Sequence, residues 1–271
     1  MRCFEYDWAH SKVDKIFKND LSQMNEVKNV MKKYYKTIRD IYKYHSALDP
    51  CNNVFAISEN VIFDIIKKAN AIDNESLKIP DVNLEFITTN TMEANQKSSK
   101  LNPERFLIRY EFFEFLIRIA LRKFKKFEDL SKTQACTKFM EENILPKFQN
   151  YDCHIWRKER LWNENCDKVL KKYLNLINIL FNNYSGRNFF PNKPKYVSIE
   201  EFVELIGKAN LINDKFGSRE LIILYNLSMI TQVQELDDDR HLCMSFDEFI
   251  EALSRVADKV VIESPYEVSL N

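Results

Sequence analysis

The sequence predicts an all-α fold: two pairs of helix-loop-helix units joined by a helical bridge. Three observations lead there. Apolar residues recur at spacings of 3 and 4 along most of the 271 residues, the period of amphipathic helices. Four polar loops each end in an apolar residue (Ile57, Leu107, Val197, Met244), followed four places on by Val61, Glu111, Glu201 or Glu248 and then by the apolar face of a helix. The gaps between these last four residues are 50, 90 and 47. Two helices of about 11 residues, a 12-residue loop and a short connector make a unit of roughly 45. The outer gaps therefore fit adjacent units, and the middle gap leaves room for one further helical segment.

Composition narrows the function classes. The chain is 45% hydrophobic and 13% aromatic, enough for a real core. Its three glycines, Gly186, Gly207 and Gly217, form no Gly-rich loop, which argues against phosphate-cradling and dinucleotide-binding folds. Lys+Arg and Asp+Glu are equal at 40 each, so no global basic field draws the chain to nucleic acid. The six cysteines include no C-x-x-C pair, and the four histidines complete no zinc pattern. No signal peptide is visible and no apolar run approaches the ~20 residues of a membrane helix. The expectation is a soluble, cytoplasmic protein with reduced thiols and no membrane partner.

In chain order, residues 1–20 read as an N-terminal arm leading into a short amphipathic helix, with Trp8 packing back on its own domain. Glu26 to His45 reads as a helix carrying Val27, Met31, Tyr34, Ile38 and Ile41 on one face, with Lys28, Lys32, Lys36 and Lys43 between them. A loop then enters a helix with Val61, Ile62, Ile65, Ile66 and Ala69. A short helix over Pro80–Ile87, a polar loop and the strongest helical run in the chain, FLIRYEFFEFLIRIALRKF, complete a first pair over 21–127. Residues 128–163 form the helical bridge: a helix over Phe127–Phe148 broken near Pro146, and the start of a long helix running from about Cys153 to Tyr184. The second pair spans 164–260. Ser198 and Glu201 form a capping box there, and Glu220 to Leu236 is the helix entering the last loop. Residues 261–271 are a polar tail.

The last loop carries the candidate metal ligands. In an EF-hand, carboxylates stand at loop positions 1, 3 and 5, a backbone carbonyl binds from position 7, and a glutamate closes the loop at 12. With Asp237 at position 1, Asp239 falls at 3, the Cys243 carbonyl at 7, Ser245 at 9 and Glu248 at 12. His241 at position 5 is a poor partner for a hard, oxygen-seeking cation, and Leu242 stands at position 6 where the sharp turn wants glycine. The other loops begin with Pro50, Lys100 and Phe190, none of which supplies a carboxylate. The expectation is four helix-loop-helix units of EF-hand shape, with no required cofactor and at most a weak calcium site at the last.

On these residues the chain resembles the calmodulin-like proteins with degenerate EF-hands found in the cilia and flagella of protists. The blocks that carry the resemblance are NPERFLIRYEFFEFLIRIA (102–120), YNLSMITQVQELDDDRHLCMSFDEFIEALSRVAD (225–258) and, more weakly, YVSIEEFVELIGKANL (196–211). The resemblance implies a non-catalytic, protein-binding component of a ciliary axoneme or related cytoskeletal assembly. Its partner would be a helix or extended segment of an axonemal protein, with tubulin as a further candidate through the lysine-rich helices. No HExxH or GxSxG motif is present, and the histidines sit in no nucleophile-like context, so the sequence reads as a non-enzyme. The competing expectation is a calcium sensor whose one active hand, 237–248, switches partner binding.

Overall fold

The computed structural model describes residues 1–18, 20–48, 56–91, 102–149, 151–186, 194–235 and 240–260. The chain is mostly helical and divides into two compact units: Met1–Cys153 with Gln232–Asp238, and His154–Thr231 with Asp239–Asn271.

In unit 1 the described helices are α1 (Arg2–His10), α2 (Val13–Phe17), α3 (Leu21–Leu48), α4 (Glu59–Lys68), α5 (Ile79–Asn90), α6 (Arg109–Lys123) and α7 (Lys132–Lys138). Phe4 is fully buried and meets Tyr35 and Phe113 edge-on, with ring centroids 5.3 and 5.9 Å apart. Trp8 packs against the same Phe113 at 6.1 Å. The long α3 buries Val27, Met31, Tyr34, Ile38 and Ile41. Several of its lysines serve the unit's own acids: Lys28 and Lys32 reach Glu5 at 2.8 and 3.1 Å, and Lys36 reaches Asp152 at 2.9 Å.

The helix after α7 continues as a π-helix over Phe139–Ile144 and tightens into a 3₁₀ turn over Leu145–Lys147, where Pro146 lacks the amide needed to continue the ladder. Ala135, Cys136, Phe139, Met140 and Ile144 from this run join the unit's core, so residues assigned to the bridge supply part of unit 1. Two short strands, β1 (Ile57–Ser58) and β2 (Phe106–Leu107), pair antiparallel, with Ile57 opposite Leu107 and Ser58 opposite Phe106.

Unit 2 contains α8 (Cys153–Trp156), α9 (Glu164–Tyr184), α10 (Ile199–Lys208), α11 (Ser218–Ser228) and α12 (Phe246–Lys259). A single antiparallel bridge joins Val197 and Met244, with reciprocal N–H···O bonds of 2.9 and 2.8 Å. Phe181, Phe202, Tyr225 and Phe249 form its aromatic core, with Phe249 5.5 Å from Phe181 and 6.0 Å from Phe202.

Two helices differ from expectation. The run from Cys153 to Tyr184 is not one helix: α8 passes into a π-helix over Arg157–Leu161, and the chain breaks at Trp162 and Asn163. Asn163 takes extended backbone and its side chain accepts from the Cys166 amide at 3.0 Å, capping α9 in place of a backbone bond. The helix entering the last loop stops at Ser228 instead of reaching Leu236. Beyond it, the carbonyls of Gln232 and Val233 accept from the Arg109 guanidinium, so they are not spent on a helical ladder.

The two units share a further local device. Both α4 and α10 end in an alanine and then an asparagine with φ of 51° (Asn70) and 55° (Asn210). In each case the next residue's amide returns to the last helical turn, Ala71 N to Ile66 O and Leu211 N to Ile206 O. This is the left-handed C-cap that asparagine tolerates better than other side chains. Three residues on, Asp73 and Asn213 each accept from the backbone amides of the turn that follows.

Candidate functional site at the end of the last loop

Glu248 is the centre of the candidate site. It lies in the first turn of α12, completely buried, and its two oxygens are shared among neighbours. Oε2 accepts from the Ser245 amide at 2.7 Å, from Ser245 Oγ at 2.9 Å and from Arg240 Nη2 at 3.0 Å. Oε1 accepts from the Ile230 amide at 2.7 Å. Ser245 in turn caps the Glu248 amide, the reciprocal capping box. The Cys243 carbonyl accepts from Arg240 Nη1 at 2.6 Å.

The flat face of this guanidinium stacks on Tyr196, 4.4 Å from the ring centroid. Tyr196 precedes the bridging Val197. On the same bridge, the Tyr225 hydroxyl lies 3.0 Å from both the Val197 and the Leu242 carbonyls. Of the sequence-selected ligands the structure thus brings Cys243, Ser245 and Glu248 together. Asp237 and Asp239 lie outside the described residues, as do the loop-opening Pro50, Lys100 and Phe190.

A calcium ion takes six to eight oxygens. Here the position-7 carbonyl and the position-12 carboxylate both accept from the Arg240 guanidinium. Among the described residues, no group of three or more His, Cys, Asp or Glu side chains is arranged to hold a metal.

The other glutamates at the corresponding place are also helix caps. Glu201 accepts from the Ser198 amide at 2.8 Å while Ser198 Oγ accepts from the Glu201 amide, the capping box expected there. Glu111 accepts from the Ile108 amide at 3.1 Å and from Asn102 at 3.3 Å. Burial dominates at Glu111 and pushes its carboxyl up to about 7, partly offset by those two bonds.

A second cluster, in unit 1, was not apparent from the sequence. Arg109 on α6 is buried and uses its donors on Asp7, at 3.1 and 2.9 Å, on the Gln232 and Val233 carbonyls, at 2.8 and 2.9 Å, and on Glu235. Tyr35 donates to the same Asp7. A surface cavity of about 440 Å³ in unit 1 is bordered by Glu85, Arg118, Arg122 and Phe127. Its arginines are engaged with local acids, Arg118 with Glu114 at 2.7 Å and Arg122 with Asp81 at 2.6 Å.

Compared with known proteins, the chain matches no family model, no curated protein and no solved structure. Among the described residues, no helix is long and apolar enough to cross a membrane.

Proposed function

We propose that this protein is a non-catalytic, calmodulin-like adaptor in which two pairs of EF-hand-like units bind helical segments of partner proteins largely without calcium. The observation that carries the reading is the pairing of Ile57 with Leu107 and of Val197 with Met244. These are the four residues at position 8 of the loops inferred from the sequence, and each is followed by an outgoing helix. Glu248 supports calcium independence, because its buried carboxylate is already satisfied by Ser245, Ile230 and Arg240.

Helix α9 supports a protein partner. Val169, Tyr173 and Leu176 form a stripe on it at spacings of 4 and 3 and are 47–56% exposed, while Ile177 and Phe181 on the adjoining face are buried. An apolar stripe with heptad spacing on a helix of about 31 Å is a surface that another helix can cover. The ciliary or cytoskeletal setting rests on the family resemblance alone, and tubulin as a candidate partner rests on the lysine-rich helices.

Titrating the full chain with a fluorescent, leucine-rich amphipathic helical peptide tests the reading by anisotropy. The expected outcome is equal affinity in chelator and in calcium, with at least about a tenfold loss in Leu176→Asp. Binding that appears only with calcium would support the sensor alternative, with 237–248 as the active hand.

A further inference from the structure

We infer that Arg240 is a tethered cation that closes the last loop in place of a metal ion, so that unit 2 keeps its two loops paired at any calcium concentration. The inference deepens the adaptor reading, on which it rests, by naming what makes that state constitutive.

Counted from Asp237, Arg240 stands at loop position 4, which supplies no ligand to calcium. It opens a 3₁₀ turn, Arg240–Leu242, and its guanidinium reaches back over that turn. One nitrogen donates to the carbonyl of position 7 and another to the carboxylate of position 12. Those two oxygens belong to the ligand set that a calcium ion draws together in a working hand. A planar guanidinium can bridge them because its donors form a rigid fork, and it stays charged at every accessible pH.

The surroundings suit a fixed cation. Glu248 is fully buried and Arg240 only 22% exposed in its side chain, so the pair is shielded from water and salt more than a surface ion pair. The guanidinium face on Tyr196 extends the contact to the loop carrying Val197. One side chain therefore touches the residue preceding each partner of the Val197–Met244 bridge, the Cys243 carbonyl on one loop and the Tyr196 ring on the other. A dication entering here would have to displace a guanidinium that cannot diffuse away.

Thermal unfolding of the full chain tests this, followed by tryptophan emission in a Trp8→Phe background, so that Trp156 and Trp162 report unit 2. The melting temperature of the background protein should be the same in chelator and in millimolar calcium. Arg240→Ala should lower it by roughly 5 °C in chelator. Arg240→Lys should recover roughly less than half of that loss, because an ammonium carries the charge without the fork. Should Arg240→Ala fail to fold, Arg240→Gln, which retains two donors without the charge, should melt below Arg240→Lys, and an Arg240→Gln protein that melts with the background protein would overturn the inference.

An Arg240→Ala protein that melts with the background protein would overturn the inference. So would a background protein whose melting temperature climbs with micromolar calcium. The peptide titration, run on the same samples, separates the two levels. Calcium-independent binding with an unaffected Arg240→Ala melt removes only the role of Arg240, whereas calcium-dependent binding by the unaltered chain removes the adaptor reading.

Discussion

Glu111 in unit 1 and Glu248 in unit 2 occupy corresponding places: four residues after a bridging residue, buried, and capping the helix that follows. Their surroundings differ. Glu248 receives a guanidinium, while Glu111 receives only an amide and the Asn102 side chain, and burial raises its carboxyl to about 7. A buried carboxylate must be neutralised or strongly hydrogen-bonded. Unit 2 surrounds its glutamate with a neighbouring arginine, whereas in unit 1 burial raises the carboxyl to about 7, so the same element of sequence pattern sits in two different environments. In unit 1, Arg109 at the head of the same helix α6 directs its guanidinium to Asp7 and Glu235.

The largest test of this contrast is Arg109→Ala. It strands two buried carboxylates and frees two backbone carbonyls, and should destabilise unit 1 by about 3–5 kcal/mol in chemical denaturation. A loss under about 1 kcal/mol, the scale of a surface pair, would mean that the cluster is solvated in solution.

The next test uses pH. A carboxyl whose folded pKa lies above its unfolded value of 4.5 holds its proton longer in the folded state. Its contribution is complete below the unfolded value and is lost as the pH rises through about 7. Replacing Glu111 with Gln should therefore flatten the stability profile of unit 1 between about pH 5 and 8, removing a decline on the order of 2–3 kcal/mol. A wild-type profile that instead steepens upward relative to the variant would show that Glu111 is held ionised.

Smaller effects ask how far the two units are built alike. Asn70→Ala and Asn210→Ala place a side chain without asparagine's local tolerance at φ of 51° and 55°, and each should cost about 1–2 kcal/mol in its own unit. Unequal losses would show that the shared C-cap is a local coincidence rather than a repeated part. Ser198→Ala removes one capping bond from α10 and should cost about 1 kcal/mol.

Much of the local framework was legible in sequence because it depends on short-range spacing. Ile57, Leu107, Val197 and Met244 were recognisable as apolar residues between a polar loop and a helix, and Ser198 with Glu201 as a serine followed three places on by glutamate. The Asn163 cap was available to the same reasoning, as an asparagine before Glu164 and Asp167, but the apolar period runs through the break and hides it. The paired KAN segments at 68–70 and 208–210 were also available, as a repeat followed three residues later by Asp73 and Asn213.

The charged clusters were not legible. Arg109 looks like a surface residue at the head of an aromatic helix, and its partners lie 102 and 126 residues away. Arg240 reads as one more charge in an acidic loop, and only the folded turn shows its guanidinium reaching Cys243 and Glu248, residues that the sequence pattern offers as metal ligands.

Amide hydrogen exchange at Val197 and Met244 in the unaltered chain, with chelator and again with millimolar calcium, tests the central claim most directly. Each amide donates across the bridge, at 2.9 and 2.8 Å. Slow exchange at both, unchanged by calcium, is the predicted result. Exchange that is fast in chelator and slows as calcium is added would contradict it, because the loops of unit 2 would then be closed by the ion and not by the protein.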